Sequence, residues 1–340
     1  MKPHKQTIAL ATTASIIFAA ILLPKIWADE HRTDFTRPAA VIAAAPPAAR
    51  AVTAVAPQPP PRLLNRAEEF LRYANPYGLY LRSGSALVMD ERDGTVLYSK
   101  DSDTQRPIAS LTKLMTAVVV LDAHLPMDRL ITITQADRDT FRGSSSRLPF
   151  GTVLTRYDVL HVALAASDNR AAAALARTYP GGKAAFVQAM NAKARALGMT
   201  NTHYVDSTGL YNGDVSTAAD LGKLIMAADK YPLLHKFTTT GMFSVADRRT
   251  GHVIRFLNTD LLVRNRAWNI SLSKTGYTSN AGQCLVMETA IAHRPVIIVL
   301  MDGWGWDARF ADARRIRHWI LSTDRRIPDY LNERLASAQN

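Results

Sequence analysis

The sequence predicts a protein of the α/β class, of the α+β type, with strands near both ends of its folded part and a largely helical middle. Two short apolar runs, residues 85–89 and 95–98, flank a polar segment that ends in Asp-Gly, which favours a hairpin. Residues 268–273 alternate apolar and polar side chains, as a half-buried strand does. Helical periodicity dominates residues 155–197 between them.

The first 28 residues are predicted to be an export signal. Lys2 and Lys5 precede an apolar run over residues 8–23, and Ile26-Trp27-Ala28 suits a signal peptidase that requires a small final residue. As a helix this run would span roughly 24 Å, short of a hydrocarbon core of about 30 Å. A retained membrane span is the less favoured alternative. Everything that follows is therefore expected outside the cytoplasm.

A proline- and alanine-rich linker is predicted over residues 29–64, because such a composition cannot bury enough surface to order itself. It serves either as a tether or as a tail left by processing. Residues 65–328 contain no second low-complexity break and are predicted to form one catalytic domain. Residues 329–340 form a C-terminal tail in this division.

Composition narrows the function classes. The net charge of +12 favours anionic partners such as wall polymers or a lipid surface, but no Lys/Arg block with interleaved aromatics indicates nucleic acid. The nine histidines form no i, i+4 pair and no His/Cys cluster, so neither a metal site nor another cofactor is predicted. The single Cys284 lies in an apolar run and is expected to be a small buried hydrophobe.

The hairpin leads into residues 107–121, an apolar segment predicted to be a helix buried on all sides. Ser110 and Lys113 stand three residues apart at its start and would share one helix face. Serine is a weak nucleophile at neutral pH, but a buried and uncharged lysine can take its proton. The same spacing also fits a capped helix with a solvated lysine.

The helical middle is predicted to contain three helices. Thr155 and Asp158 form a start resembling a capping box, and residues 171–178 and 183–197 read as two further helices, the last ended by Gly198.

Between the first two of these helices stands Ser167-Asp168-Asn169. Ser167 could relay a proton, and the amide of Asn169 could fix both Lys113 and a substrate carbonyl. The alternative is that these residues are ordinary helix caps.

Lys274-Thr275-Gly276 follows the alternating strand and precedes a predicted polar turn at residues 277–280. An edge strand here could pair with an extended peptide, with Gly276 allowing close approach and Lys274 and Thr275 binding a carboxylate. Lys274 could also be the second cation that lowers the pKa of Lys113. The alternative is an exposed strand lysine. Ser271 and Lys274 repeat the S-x-x-K spacing, but on a strand they point to opposite faces.

These three signals in this order resemble the penicillin-recognising serine DD-peptidases. The resemblance spans about residues 86–321 and includes residues 202–210, 216–221 and 281–284. Within the family it is nearest to the short periplasmic D-alanyl-D-alanine endopeptidases, of the penicillin-binding protein seven type. It implies a five-stranded antiparallel sheet flanked by helices, with a helical subdomain that carries Ser167 and Asn169.

The resemblance also implies roles for the motif residues. Ser110 would be the acylated nucleophile and Lys113 its general base, while Ser167 and Asn169 would orient groups and relay protons. Lys274, Thr275, Gly276 and Tyr277 would bind substrate, with the backbone N–H groups of Ser110 and Tyr277 forming an oxyanion hole. Asp168 is a variable middle position with no implied chemistry.

The resemblance leads us to expect a periplasmic serine endopeptidase that cuts peptidoglycan cross-links and is inhibited covalently by β-lactams. The chain ends soon after a predicted helix at residues 308–321, without the second domain of larger carboxypeptidases, which favours this type. No E-x-x-L-N loop lies between Asn169 and Asp220, so β-lactam hydrolysis should be slow. Two alternatives remain: a carboxypeptidase acting on uncross-linked stem peptides, and a non-catalytic penicillin-binding wall protein. Weak membrane or wall association is also expected.

Overall fold

The computed structural model describes residues 65–265 and 267–328. The predicted export signal, the whole predicted linker and the C-terminal tail lie outside the described residues. The chain divides into two units, residues 1–60 and 61–340, and every described residue belongs to the second. Among the described residues, no helix has both the length and the apolar character needed to cross a membrane.

The secondary structure alternates between strands and helices along the chain. The strands are β1 (Ser83–Asp90), β2 (Val96–Lys100), β3 (Arg106–Pro107), β4 (Leu130–Thr132), β5 (Val153–Thr155), β6 (Val215–Ser216), β7 (Met242–Ala246), β8 (Val253–Leu257), β9 (Asn269–Thr278), β10 (Gly282–Ile291) and β11 (Arg294–Gly303). The helices are α1 (Arg66–Tyr73), α2 (Thr112–Asp122), α3 (Arg156–Ala165), α4 (Asn169–Arg177), α5 (Gly182–Ala196), α6 (Ala218–Ala228), α7 (Pro232–Thr238) and α8 (Ala308–Asp324).

The main sheet has five antiparallel strands in the order β2-β1-β11-β10-β9. The predicted fold class and the predicted hairpin, which is β1 and β2, are confirmed. Because β9 pairs only with β10 within this sheet, its other side is an edge, as predicted for the strand that contains Lys274. The sheet thus presents one unpaired strand edge next to the helical part of the chain.

Both faces of the sheet are covered by helices. Alternate side chains of β1 illustrate this: Leu87 and Met89 pack in the core shared with α2 and α6, while Ala86 and Val88 pack in a second core with α1 and α8. Strands buried on both faces have nearly continuous apolar sequences, which is why β1, β10 and β11 do not alternate.

The helical middle follows the prediction closely. Thr155 caps α3 by accepting a hydrogen bond from the Asp158 N–H at 3.1 Å, and α4 and α5 lie within one or two residues of the expected bounds.

Two other elements begin or end at different residues than predicted. Residues 109–111 form a 3-10 turn, so α2 begins only at Thr112. Tyr277 and Thr278 belong to β9 because they pair with β10, and the polar turn begins after them.

A buried ion pair fastens α1 to the sheet. Arg294 donates from Nη1 to Asp90 Oδ2 at 2.8 Å and from Nη2 to the Arg66 carbonyl at 3.0 Å, and its guanidinium lies 4.7 Å from the Phe70 ring centroid. The side chains of Arg294 and Asp90 are 0% and 3% exposed. Burial lowers the pKa of Arg294, and Asp90 opposes that shift. Losing the carboxylate would therefore leave a buried cation unpaired.

We predict that Asp90→Ala lowers the free energy of unfolding by about 3–5 kcal/mol, because the guanidinium of Arg294 loses its partner. Chemical denaturation followed by circular dichroism measures this. Arg314→Ala is the control, since it removes a pair with Asp307 whose side chains are 53% and 42% exposed, and it should cost under about 1 kcal/mol. Equal losses of unfolding free energy in the two variants would contradict the assignment of Asp90 and Arg294 as a stabilising buried ion pair.

Candidate active site

Ser110 and Lys113 meet where the 3-10 turn enters α2. Lys113 Nζ lies 2.8 Å from Ser110 Oγ, 2.7 Å from Asn169 Oδ1 and 2.7 Å from the Thr208 carbonyl oxygen. A neutral amine has two N–H donors and one lone pair. The amide and carbonyl oxygens can take the two donors, which leaves the lone pair directed at the serine hydroxyl. The arrangement therefore suits proton abstraction from Ser110.

The environment of Lys113 favours its neutral form. The side chain is fully buried, and burial lowers its pKa to about 8, against the opposing charges of Asp206, Asp168 and Asp214. Burial is the main cause of this lowered pKa, and the expected contribution of Lys274 stays a prediction. The pKa of Lys274 itself falls well below its ordinary value, through burial first and then through the charges of Lys113 and Arg309.

Ser167 and Lys274 join the two sides of the cleft. Lys274 Nζ donates to Ser167 Oγ and to the Thr275 carbonyl, each at 2.8 Å. Ser167 precedes α4 and has a φ of 56°, a conformation that costs a residue with a side chain of order 1–3 kcal/mol. Lys274 is only 2% exposed, so it is not the exposed strand lysine of the alternative interpretation. The Thr275 hydroxyl lies 2.6 Å from that of Thr259.

Asn169 connects Lys113 to a loop that the sequence did not single out. Its Nδ2 donates to Ser144 Oγ at 2.8 Å, which orients Oδ1 toward Lys113. Asp168 is the N-cap of α4 and accepts from the Ala171 N–H at 3.0 Å. The capping interpretation therefore holds for Asp168, while Ser167 and Asn169 have contacts in the cleft.

Gly276 brings the edge strand against the candidate nucleophile. A Cβ at this position would lie 3.0 Å from the Ile108 carbonyl oxygen and 3.3 Å from the Ser110 nitrogen. Tyr277 follows on the same strand with 61% of its surface exposed. Hydrogen bonds and close approaches thus bring six of the eight predicted site residues together between β9 and the helical middle, and Thr275 and Tyr277 are their neighbours along β9.

The loop that supplies the Thr208 carbonyl was also missed by sequence reasoning. Gly209 has a φ of 80°, and a Cβ there would lie 1.9 Å from the carbonyl oxygen of Ala109, whose own φ is 47°. Asp206 holds this loop by accepting from the Thr208 N–H at 3.0 Å and the Gly209 N–H at 2.9 Å. Two unusual backbone conformations thus meet directly beside Ser110.

Two other sequence predictions concern groups that make no contact with Ser110 or Lys113 among the hydrogen bonds of the described residues. Cys284 is buried, and burial raises the pKa of its thiol to about 11, as suits a packing residue. Among the described residues, Asp229, His235 and Glu288 lie close enough to hold a metal ion. However, both ring nitrogens of His235 are hydrogen-bonded to carbonyl oxygens, at 2.9 and 2.7 Å, so this cluster offers no free imidazole nitrogen.

Comparison with known proteins assigns this chain to a protein family. The sequence model of peptidase family S11, described as D-alanyl-D-alanine carboxypeptidase, matches residues 73–305. The chain belongs to this family of serine DD-peptidases. The family member from Pseudomonas aeruginosa named D-alanyl-D-alanine endopeptidase is 49% identical over 79% of this chain and 83% of that protein. A protein of the same name from Escherichia coli K12 is 47% identical over 71% of this chain and 77% of that protein.

A solved structure supports the same membership. The crystal structure of the Streptomyces K15 DD-transpeptidase covers 72% of this S11 peptidase and 98% of its own chain, with 29% identity and a TM-score of 0.66.

We predict that acylation of Ser110 by a labelled penicillin becomes faster as the pH rises and levels off above about pH 8. Only the neutral form of Lys113 can accept the proton, and burial lowers its pKa to about 8. Below that value the rate constant should fall by about tenfold per pH unit. Stopped-time labelling between pH 5.5 and 9.5 measures it, with circular dichroism as the control for folding. A flat profile between pH 6 and 8 would contradict the role of Lys113.

We predict that Gly209→Ala slows this acylation by about a hundredfold, because the new Cβ displaces the Ala109 carbonyl and with it Ser110. Gly251→Ala is a matched control: its φ is 74°, close to the 80° of Gly209, but a Cβ there has no neighbour within 4 Å. Gly251→Ala should lower the free energy of unfolding but leave the rate of acylation unchanged. Similar acylation rates in the two variants would show that the close approach at Gly209 does not position the serine.

Proposed function

We propose that this S11 peptidase is a serine-type D-alanyl-D-alanine endopeptidase that hydrolyses peptidoglycan cross-links through an acyl-enzyme and is blocked by β-lactams. The observation that carries the proposal is the Lys113 amine, buried, with both donors matched by Asn169 and Thr208 oxygens and 2.8 Å from Ser110 Oγ. This is the arrangement that nucleophilic catalysis by serine needs.

In the proposed reaction, Ser110 Oγ attacks the carbonyl carbon of the D-alanyl bond while Lys113 takes its proton. The proton then passes to the departing amine, with Ser167 as the relay, and the peptide bond breaks to leave an ester on Ser110. Water attacks this ester, and the proton it loses returns to Ser110 Oγ through Lys113. The backbone N–H groups of Ser110 and Tyr277 stabilise the oxyanion, each contributing about 3 kcal/mol.

Substrate binding is assigned to the edge of β9. An extended peptide adds to this strand, Gly276 allows its backbone close to Ser110, and Lys274 with Thr275 holds a carboxylate. Because burial lowers the pKa of Lys274, the arriving carboxylate supplies the negative charge that favours its protonated form. A β-lactam binds with its carboxylate in the same position, and attack by Ser110 Oγ breaks its lactam amide bond and leaves an ester on the serine.

The proposal places the enzyme in the periplasm, with residues 1–28 as signal peptide, 29–64 as linker, 65–328 as catalytic domain and 329–340 as tail. The positive net charge supports weak association with anionic wall polymers or a lipid surface. No cofactor enters the proposed mechanism.

The preference for cross-links rests on the relatives. Those named D-alanyl-D-alanine endopeptidase from P. aeruginosa and E. coli are 49% and 47% identical, whereas the carboxypeptidase DacD from E. coli is 31% identical. Digestion of purified cross-linked wall dimers tests the preference. An endopeptidase converts dimers to monomers without free D-alanine. Release of free D-alanine from uncross-linked stems, with dimers intact, would identify a carboxypeptidase instead, and penicillin binding without turnover would identify a non-catalytic protein.

We predict that Ser110→Ala abolishes covalent labelling by penicillin, because within the described residues the Ser110 hydroxyl is the one hydroxyl hydrogen-bonded to Lys113 Nζ. Ser271→Ala is the matched control, since Ser271 also stands three residues before a lysine. Its hydroxyl donates to the Glu288 side chain, while Lys274 extends to Ser167. Gel fluorescence and intact mass measure the labelling. Labelling retained in Ser110→Ala, or lost in Ser271→Ala, would overturn the assignment of the nucleophile.

A further inference from the structure

A second cavity, of about 540 Å³, lies at the end of the sheet just past the candidate active site. Tyr277 pairs with Gln283 on β10, and Gln283 pairs with Gly303 on β11, so three neighbouring strands reach the same end of the sheet. The chain then continues from β11 into Trp304-Gly305-Trp306. The residues that matter at this cavity are Tyr277, Gln283, Trp304, Trp306 and Arg309.

Three aromatic side chains at this cavity are left in solvent. Trp304 and Trp306 are 86% and 85% exposed and Tyr277 is 61% exposed, whereas Trp319 in the core is 6% exposed. Two indoles this exposed bury little apolar surface within the described residues and therefore add little to the stability of the fold. Surface aromatics grouped beside a cleft indicate a binding surface, since their flat faces bury large apolar area.

Two residues that line the cavity each have a buried polar atom without a partner among the described residues. Gln283 is 8% exposed, and its Oε1 has no hydrogen-bond partner among the described residues. Arg309 donates from Nη1 to the Gly276 carbonyl at 2.8 Å, but its buried Nε has no partner in the same part of the chain. One free acceptor and one free donor match the N–H and C=O of a single amide group.

An extended substrate bound as proposed would run from Ser110 toward this cavity. If Lys274 and Thr275 hold the carboxylate and Ser110 attacks beside Gly276, the remaining acyl part of an extended peptide runs past Tyr277. Three extended residues span about 10 Å. The distance from β9 across β10 to β11 is two strand spacings, about 9.6 Å. A stem peptide of a few residues is therefore long enough to cover the spacing between β9 and β11, the strand that continues into the tryptophans.

We propose that this cavity binds an N-acetylated sugar of the glycan strand from which the stem peptide branches. The apolar face of the sugar ring stacks on Trp304 or Trp306, and its acetamido group bonds to Gln283 Oε1 and Arg309 Nε. This inference rests on the proposed function, because it assumes that the substrate is peptidoglycan. It adds recognition of the sugar to recognition of the peptide.

The direct test is binding of a peptide-free N-acetylglucosamine tetramer to the intact protein, followed by isothermal titration calorimetry, whose signal does not depend on the tryptophans, and in wild type also by the indole N–H signals in NMR. The double variant Trp304→Ala/Trp306→Ala should bind at least about tenfold more weakly. Gln283→Leu should also bind more weakly. The N-deacetylated tetramer should bind poorly to every form. Tyr77→Ala, which removes a 99% exposed aromatic elsewhere, is the control and should bind as wild type does.

The kinetic test uses two cross-linked substrates, one with its glycan and one made of peptide alone. The tryptophan double variant should lose efficiency through KM on the glycan-bearing substrate only, with unchanged penicillin labelling. Equal losses on both substrates would mean that the cavity binds peptide, and unchanged tetramer binding would mean that it binds no sugar; either result overturns the proposal. Failure of the proposed function is distinguishable, because wild type would then leave the cross-linked substrate made of peptide alone uncut.

Discussion

The central constraint on this structure is the burial of an uncharged lysine amine beside a serine hydroxyl. Burying an amine costs free energy unless its hydrogen bonds are satisfied, and Lys113 meets that condition with the Asn169 side chain and the Thr208 carbonyl. The same burial lowers its pKa to about 8, while the charge of Asp206 prevents a larger shift. The protein therefore holds a base that is partly neutral at physiological pH.

The rest of the fold keeps this geometry fixed. Ala109 and Ser167, on the two sides of the cleft, have φ values of 47° and 56°, and such conformations persist only where the surroundings over-determine them. Here the surroundings are the sheet, which helices cover on both faces, together with helix α2, which packs in the larger of the two cores. The favourable packing of the sheet against its helices thus compensates for the backbone strain at Ala109 and Ser167.

Features set by local sequence were predictable, and features set by distant contacts were not. The hairpin, the helices of the middle and the edge strand at Lys274 follow from periodicity and turn residues, so they could be read directly. The 3-10 turn at Ser110 depends on the close approach of Gly209, and the orientation of Asn169 depends on Ser144, which no motif marks. Similarly, Arg142 joins the cleft rim through the Leu210 carbonyl at 2.6 Å and Asn280 Oδ1 at 3.3 Å, contacts that only the folded chain creates.

The pKa of Lys113 itself is the most direct measurement of the central claim. NMR of the protein with ¹³C-labelled lysine Cε positions follows each amine through its titration. The account predicts one resonance that titrates near pH 8, where the pKa of the buried amine lies, and that disappears in Lys113→Ala. A Lys113 resonance that titrates at about 10.4, as an ordinary solvated lysine does, would contradict the account.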